Sequence, residues 1–419
     1  MRAEIIAVGS ELLTPYRLDT NSLFLTSQLN QLGIRVIHKV IVGDTPDEMR
    51  SSFRHALDRA ELIISSGGLG PTDDDRTRQT VAELLGRKLH IDERILQHIK
   101  ERFQRFRPGR VMPEINARQA LVPEGAMILP NPKGTAPGLW LEANGHIVIL
   151  LPGVPSELQG LFEVEVRPRL ARVGGNERLF TRDLRITGLP ESEVETRVSP
   201  LYALYPNTET TILASPPGIQ LHPSVWSSDA AQAEKLLDEI VDRMALALGE
   251  HLYSTHGETL EEVVGCVLTE NRATIAVAES CTGGLLAERL TNVPGSSIYF
   301  LGGIVCYSND LKTRVVDVPP SMIESKGAVS PEVAMALADG IRRLTGATLG
   351  IGVTGIAGPG GGSPEKPVGL VYIGIADERG PRQKDFRFLG DRDRIRLFAS
   401  QSALDMARRY FLAPSHGRS

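Results

Sequence analysis

Short apolar runs and amphipathic stretches alternate along the chain in three blocks. In the first, EIIAVGS (4–10) is a β-rich run ending at Gly9. TNSLFLTSQLNQLG (20–33) sets Leu23, Leu25 and Leu29 among polar residues and stops at Gly33, which predicts a helix. RVIHKVIVGD (35–44) predicts a second strand. TPDEMRSSFRHAL (45–57) predicts a helix with Thr45 as cap, Pro46 in the first position and Glu48 closing a capping box. ELIISSGGLGPTDDD (61–75) is a third strand feeding a glycine loop, and HIVILLPGVPSEL (146–158) resembles a late strand at the same sheet edge. Strand and helix alternating at this spacing predict a parallel α/β sheet.

RPRLARVGGNE (167–177) reads as a basic linker. Beyond it, 181–202 predicts strand, turn and helix, 216–226 a strand, and 229–249 a well-patterned helix, together a small α+β unit without evident chemistry; His222 beside Pro223 reads as a surface residue. The third block opens with a helix (256–273) and a strand (TIAVAES, 274–280). An apolar β-rich run (296–310) follows, then a helix (330–346) capped by Ser330, with Val333, Leu337, Ile341 and Leu344 on one face. ATLGIGVTG (347–355) predicts a buried strand ending in a long glycine loop. Two further strands (368–377 and 383–390) and a final helix complete a second α/β domain. The expected domains are 1–168, 169–255 and 256–415.

Composition changes this picture little. With 41% hydrophobic and 23% charged residues the chain reads as soluble and globular. A net charge of -5 argues against a nucleic-acid partner, because phosphate contacts need a basic face. Three cysteines form neither a disulfide framework nor a paired zinc motif, no apolar run is long enough to span a membrane, and MRAEIIAVGS enters a strand directly. A cytoplasmic protein is expected.

Chemistry concentrates in AVAESCTGG (276–284). Ser280 or Thr282 could cap the next helix. Alternatively, a hydroxyl at the carboxyl end of a buried strand faces the crevice where α/β sheets bind ligands, with the amides of Gly283 and Gly284 available to an oxyanion or a phosphate. No histidine occurs from Gly257 to Pro414, so a serine nucleophile in this domain must find its base elsewhere. Of Lys312, Lys326, Lys366 and Lys384, only Lys312 lies just after an apolar strand, five residues beyond Tyr307. Thr354 meets a second glycine loop, GIAGPGGG, which is either an anion cradle through Gly355 and Gly358 or a connector. Arg392, Arg394 and Arg396 begin the last helix, as a phosphate clamp or as a solvated face. In the first domain, the turn at Gly67 and Gly68 precedes Asp73, Asp74 and Asp75. This is either a site for a phosphate and a divalent cation or a solvated acidic loop; Lys133 in NPKGTAPG is a further phosphate contact.

The ordered motifs GSELL, DTNS, VGDTPDEM, SSGGLGPTDDDRT, NPKGTAPG and LPGVPSE resemble the N-terminal domain of the CinA (competence/damage-inducible protein A) family. AESCTGG, CYSNDLK, GAVS, GVTGIAGPGGG, KPVGLVYIG and the GDR before the last helix resemble its C-terminal domain. The resemblance implies a molybdopterin-binding-like N-terminal domain, a small KH-like connector (here without a GxxG) and a C-terminal α/β amidohydrolase domain. The last is similar to nicotinamide-nucleotide amidohydrolase, which converts nicotinamide mononucleotide (NMN) and water to nicotinate mononucleotide and ammonia. Carried onto this chain, the nucleophile is Ser280, and in the mechanism this implies the amides from Cys281 and Thr282 onward to Gly284 hold the oxyanion. Lys312, Tyr307 and Thr354 stand around it, and Arg392 or Arg396 holds the phosphate; no cofactor is implied there. For the N-terminal domain the resemblance implies ADP-ribose pyrophosphatase activity with Mg, Mn or Co, which Glu11, Asp74 and Asp75 would hold. Pro15-Tyr16 and Asp73 stand where the family more often has Gly-Gln and histidine. A homodimer is expected. The alternatives are a catalytically weak binding protein related to competence or DNA damage, and a molybdopterin-type transferase.

Overall fold

A computed structural model describes residues 1–412. The chain forms two compact units: Met1–Leu179 with Trp226–Ala230, and Phe180–Val225 continuing from Ala231. In chain order the first unit contains β1 (Arg2–Val8), α1 (Thr20–Gln31), β2 (Arg35–Val42), α2 (Pro46–Arg59), β3 (Leu62–Ser66) and α3 (Thr77–Leu84). Next come β4 (Leu89–Ile91), α4 (Glu93–Phe106), β5 (Leu121–Pro123), β6 (Met127–Leu129), β7 (Gly138–Ala143), β8 (His146–Leu151), α5 (Pro155–Leu161) and α6 (Arg167–Val173). Its main sheet has the order β2-β1-β3-β8-β7-β6.

Strands β2, β1, β3 and β8 run parallel, as the alternation predicts, but β7 and β6 add two antiparallel strands. The reversal between β7 and β8 is Asn144-Gly145, both left-handed (φ 51° and 83°), the pairing a tight hairpin requires. Two apolar layers cover the sheet. Ile6, Ile63 and Val148 face one way, Ile5, Ile64 and Ile149 the other, each fully or almost fully buried. Each contributes about 1.5–3 kcal/mol by leaving water.

Two local expectations fail. Thr45 stands at the start of α2, yet its side chain makes no capping bond and Pro46 alone opens the helix. The basic stretch from 167 is no linker through its first seven residues: it is α6, and Leu170 is buried in the N-terminal core beside Val166 and Phe162. The arginines outline the solvated side of a helix whose single leucine decides its place.

The second unit begins with the connector: β9 (Arg178–Thr181), β10 (Leu184–Ile186), α7 (Glu191–Tyr202), β11 (Thr208–Ser215), β12 (Gly218–Ser227), α8 (Ala230–Leu248) and β13 (Leu252–Ser254). Its antiparallel sheet, ordered β11-β12-β10-β13, packs Leu184, Ile186 and Leu221 against Val194, Ile240 and Met244 of the helices.

The C-terminal domain follows with α9 (Leu260–Glu270), β14 (Ile275–Glu279), α10 (Leu285–Thr291), β15 (Phe300–Val305), α11 (Asn309–Val316), α12 (Pro320–Lys326) and α13 (Pro331–Thr345). It ends with β16 (Leu349–Gly355), β17 (Leu370–Asp377), β18 (Gly380–Arg387) and α14 (Arg392–Leu412). The sheet order is β15-β14-β16-β17-β18, with β15, β14 and β16 parallel and the last two antiparallel. Ser330 caps α13 through the Val333 amide as expected, and Val333, Leu337 and Ile341 are buried, but Leu344 in the last turn is exposed. Alternation along β14 sends Ile275 and Val277 into one core and Ala276 and Ala278 into the other. A strand buried on both faces in the middle of a parallel trio opens at its carboxyl end into a crevice. No described helix is long and apolar enough to cross a membrane.

Candidate active site

The crevice of the C-terminal domain collects the ends of three adjacent strands. Ser280 follows β14, Cys306 and Tyr307 follow β15, and Thr354 lies at the end of β16. The Ser280 amide donates to Val353 O (2.9 Å) and the Cys306 amide to Glu279 O (2.9 Å), so the ladders fix both neighbours. After Ser280 the chain turns through Gly283 and Gly284, at φ 61° and 97°. Both conformations suit glycine, which explains the pair.

Neither Ser280 nor Thr282 caps α10. The cap position is Gly284, without a side-chain bond; Glu279 instead accepts from the amides of Gly284 (3.0 Å), Leu286 (3.1 Å) and Ala287 (2.8 Å). The Ser280 hydroxyl is thereby left for another partner, Lys312. From α11, capped by Ser308, the Lys312 Nζ donates to Ser280 Oγ (3.2 Å), Cys306 O (2.9 Å) and Tyr307 O (3.1 Å). Its side chain is buried, no carboxylate pairs with it among the described residues, and burial pushes the ammonium below the ordinary lysine range. Once deprotonated, the amine would keep two N–H groups for the two carbonyls and turn its lone pair to the serine hydroxyl.

The remaining expected residues divide. Cys281 is buried and its thiol is pushed up to about 12, chiefly by burial, so it supplies no thiolate. The Gly283 amide donates to Ser280 O and the Gly284 amide to Glu279, so these two do not serve an oxyanion as expected; the Leu285 amide is taken by Thr282 O. In this turn, the amides of Cys281 and Thr282 have no acceptor among the described residues. Arg396 donates through Nε and Nη2 to Thr282 O (3.1 and 2.9 Å) and braces the turn. Arg392 joins Gly358 O (2.8 Å) to the Tyr307 hydroxyl (3.1 Å). The exposed Tyr307 phenol thus sits with Arg392, and the residue meets Lys312 through its carbonyl. Thr354, buried, donates to Ala328 O (2.7 Å), and a Cβ on Gly355 would lie 2.8 Å from Leu370 O, so both pack the wall of the site.

The sequence reading gives no role to two further residues. Lys366 donates to Lys326 O (2.9 Å) and Val329 O (2.8 Å), fastening the glycine loop to the GAVS turn. Glu279 carries a signal that could have found it, a lone acid at the end of a buried apolar strand.

In the N-terminal domain, Gly67 and Gly68 end β3 in left-handed conformations, and a Cβ on Gly67 would lie 2.1 Å from Val8 O. The cleft beside them, about 40 Å³, is lined by Glu11, Arg17, Asn21, Ser66 and Gly153 among others. The carboxylates expected to hold a cation do not converge. Asp75 receives the Thr72 amide and hydroxyl, Glu11 pairs with Arg17 at 3.6 Å, and Asp73 pairs with Arg118. Asp74 is exposed; its carboxyl is held below its usual range, chiefly by the neighbouring Thr72 hydroxyl, and its backbone carbonyl accepts the Arg76 amide (2.9 Å). Among the described residues no group of three or more His, Cys, Asp and Glu stands where it could hold a metal ion. These residues do not fit the expected divalent cation, because their oxygens do not converge on one point. Lys133 is held by its backbone, its amide on Asn131 Oδ1 (3.1 Å), beside a larger cavity of about 680 Å³ lined by Ile95, His98, Ile128, Asn131 and Thr135.

Comparison with known proteins matches three stretches of the chain. Residues 4–172 match the description "probable molybdopterin binding domain", 181–254 the "damage-inducible protein CinA KH domain" and 257–411 the "CinA C-terminal domain". A "CinA-like protein" of Koribacter versatilis is 49% identical over 418 residues, covering 98% of this chain and 99% of that one. One of Solibacter usitatus is 47% identical over 409 residues, covering 98% of each. Among solved structures, the "competence/damage inducible protein CihA" of Agrobacterium tumefaciens is 39% identical, covering 35% of this chain and 90% of that one at a TM-score of 0.35. The "protein CinA with unknown function" of Thermoplasma acidophilum is 37% identical, covering 40% and 96% at 0.37. Over nearly its whole length, the chain belongs to the CinA family.

Proposed function

We propose that the C-terminal domain hydrolyses the carboxamide of NMN, giving nicotinate mononucleotide and ammonia. The observation that carries this reading is the buried Lys312 amine 3.2 Å from Ser280 Oγ, in a stretch with no histidine from Gly257 to Leu412. Neutral Lys312 takes the Ser280 proton as Oγ attacks the carboxamide carbon. The amides of Cys281 and Thr282 receive the oxyanion. Lys312 returns the proton to the departing nitrogen, which leaves as ammonia and an acyl group on Ser280. Water then attacks the acyl carbon, giving its proton to Lys312; the carboxylic acid leaves and the serine regains a proton from Lys312. Arg392, with N–H groups beyond its bonds to Gly358 O and Tyr307 Oη, is the proposed phosphate contact.

The test is ammonia release from NMN by the full chain beside Ser280→Ala. Release that vanishes in a folded Ser280→Ala supports the reading. A folded parent that releases none, or a variant that keeps the parent's rate, overturns it. For the N-terminal domain, whose carboxylates are engaged elsewhere, no reaction is proposed.

A further inference from the structure

Glu279 is 1% exposed and has no cationic partner among the described residues, an arrangement that burial alone would penalise heavily. It is satisfied by three backbone amides ahead of it in the chain, those of Gly284, Leu286 and Ala287. Its own backbone is locked between β15 and β16, opposite Val305 and Val353. One end of this side chain therefore belongs to the central strand and the other to the first turn of α10. Between them lie only Ser280, Cys281, Thr282 and Gly283.

We infer that Glu279 is the positioning residue of the nucleophile turn: its carboxylate clamps α10 to β14, sets Ser280 toward Lys312 and leaves the Cys281 and Thr282 amides for the oxyanion. The inference rests on the reading of Ser280 as nucleophile. The accounting of amides supports it. With the Gly284 amide on Glu279, the Gly283 amide on Ser280 O and the Leu285 amide on Thr282 O, the turn has one folded arrangement that leaves two adjacent donors free. Arg396 completes it by holding Thr282 O from α14. A glutamine at 279 offers one oxygen, but its NH2 group meets amides that also donate, so it cannot hold all three as the carboxylate does.

The experiment reads Ser280 in two ways, with the full chain as parent. A fluorophosphonate probe, which phosphonylates a serine oxygen and loses fluoride, is followed at Ser280 by mass spectrometry; ammonia release from NMN is followed in parallel. Glu279→Gln should label and turn over at least about tenfold more slowly, with the loss in kcat and KM within about threefold, because misplacing a reacting group slows chemistry without removing binding contacts. Glu279→Asp, which keeps the charge, should recover part of both rates. A folded Glu279→Gln that labels at the parent's rate overturns the inference. If that variant does not fold, Glu279→Asp decides, and labelling equal to the parent overturns it. A parent that labels at Ser280 but releases no ammonia refutes the deamidase reading while the labelling rates still judge Glu279. A parent that does not label at Ser280 overturns both.

Discussion

Replacing Lys312 by methionine keeps most of the length of a buried side chain and removes the only side-chain amine hydrogen-bonded to Ser280 Oγ among the described residues. Loss of a positioned general base costs about 10²–10⁴-fold in rate, or about 3–5 kcal/mol of barrier. Stability should change much less, because two effects oppose each other. Cys306 O and Tyr307 O each lose a donor, at about 1–3 kcal/mol apiece, while the protein no longer buries an amine whose charged form burial disfavours. The pH dependence separates them. Well below the lowered Lys312 pKa both the folded and the unfolded chain hold the proton. Between that pKa and the ordinary lysine value near 10.4 only the unfolded chain holds it, so this group makes stability rise with pH across that window. The parent's kcat/KM should climb with pH through the same lowered pKa and level off before the ordinary lysine range. The assay is ammonia release against pH, paired with urea midpoints for parent, Lys312→Met and Lys312→Arg. The arginine stays protonated throughout, so it should be as inactive as methionine and show no climb. A methionine variant within about fivefold of the parent, or a climb that survives in either variant, would refute Lys312 as the base.

Cys281→Ala should keep activity within about threefold, and native Cys281 should resist iodoacetamide, since a thiol pushed up to about 12 is thiolate in about one molecule in 10⁵ at pH 7. Gly284→Ala should lower the melting temperature through about 1–2 kcal/mol of left-handed strain; the nearest atom to an added Cβ, Val305 Cγ2, is 3.6 Å away, so a steric clash is not the cause. Arg396→Ala frees Thr282 O and should reduce kcat about tenfold, read by ammonia release at saturating NMN, with KM less affected.

Much of this architecture is legible in the sequence because buried strands are runs of the same residue types. TIAVAES and ATLGIGVTG are apolar on both faces, and the glycines that follow mark where the chain must turn. Side-chain partners are less legible. Ser280 and Thr282 have the composition of a helix cap, and only the structure shows the capping work done by Glu279, a residue inside the preceding strand. The antiparallel half of the N-terminal sheet was readable at Asn144-Gly145 but was hidden by the stronger signal of alternating strands and helices. The stretch beginning at Arg167 misleads for a related reason: its charge is visible in sequence, whereas Leu170 reaching the core is a tertiary event.

The two α/β domains place their glycine turns at equivalent points, after a buried parallel strand, yet their charges are arranged differently. After β3 the acids are engaged: Asp73 with Arg118, Asp75 with Thr72, and Glu11, across the cleft, with Arg17. Carboxylates held apart by separate partners do not offer a cation the converging oxygens that it needs. After β14 the arrangement is the reverse, because Lys312 meets only neutral oxygens and is held where its charged form is disfavoured. A base can exchange a proton at every turnover without breaking an ion pair, and two unmatched amides beside it can receive negative charge as it develops. The asymmetry therefore supports the proposal that hydrolysis takes place at the C-terminal turn, although both turns end a buried strand in glycines.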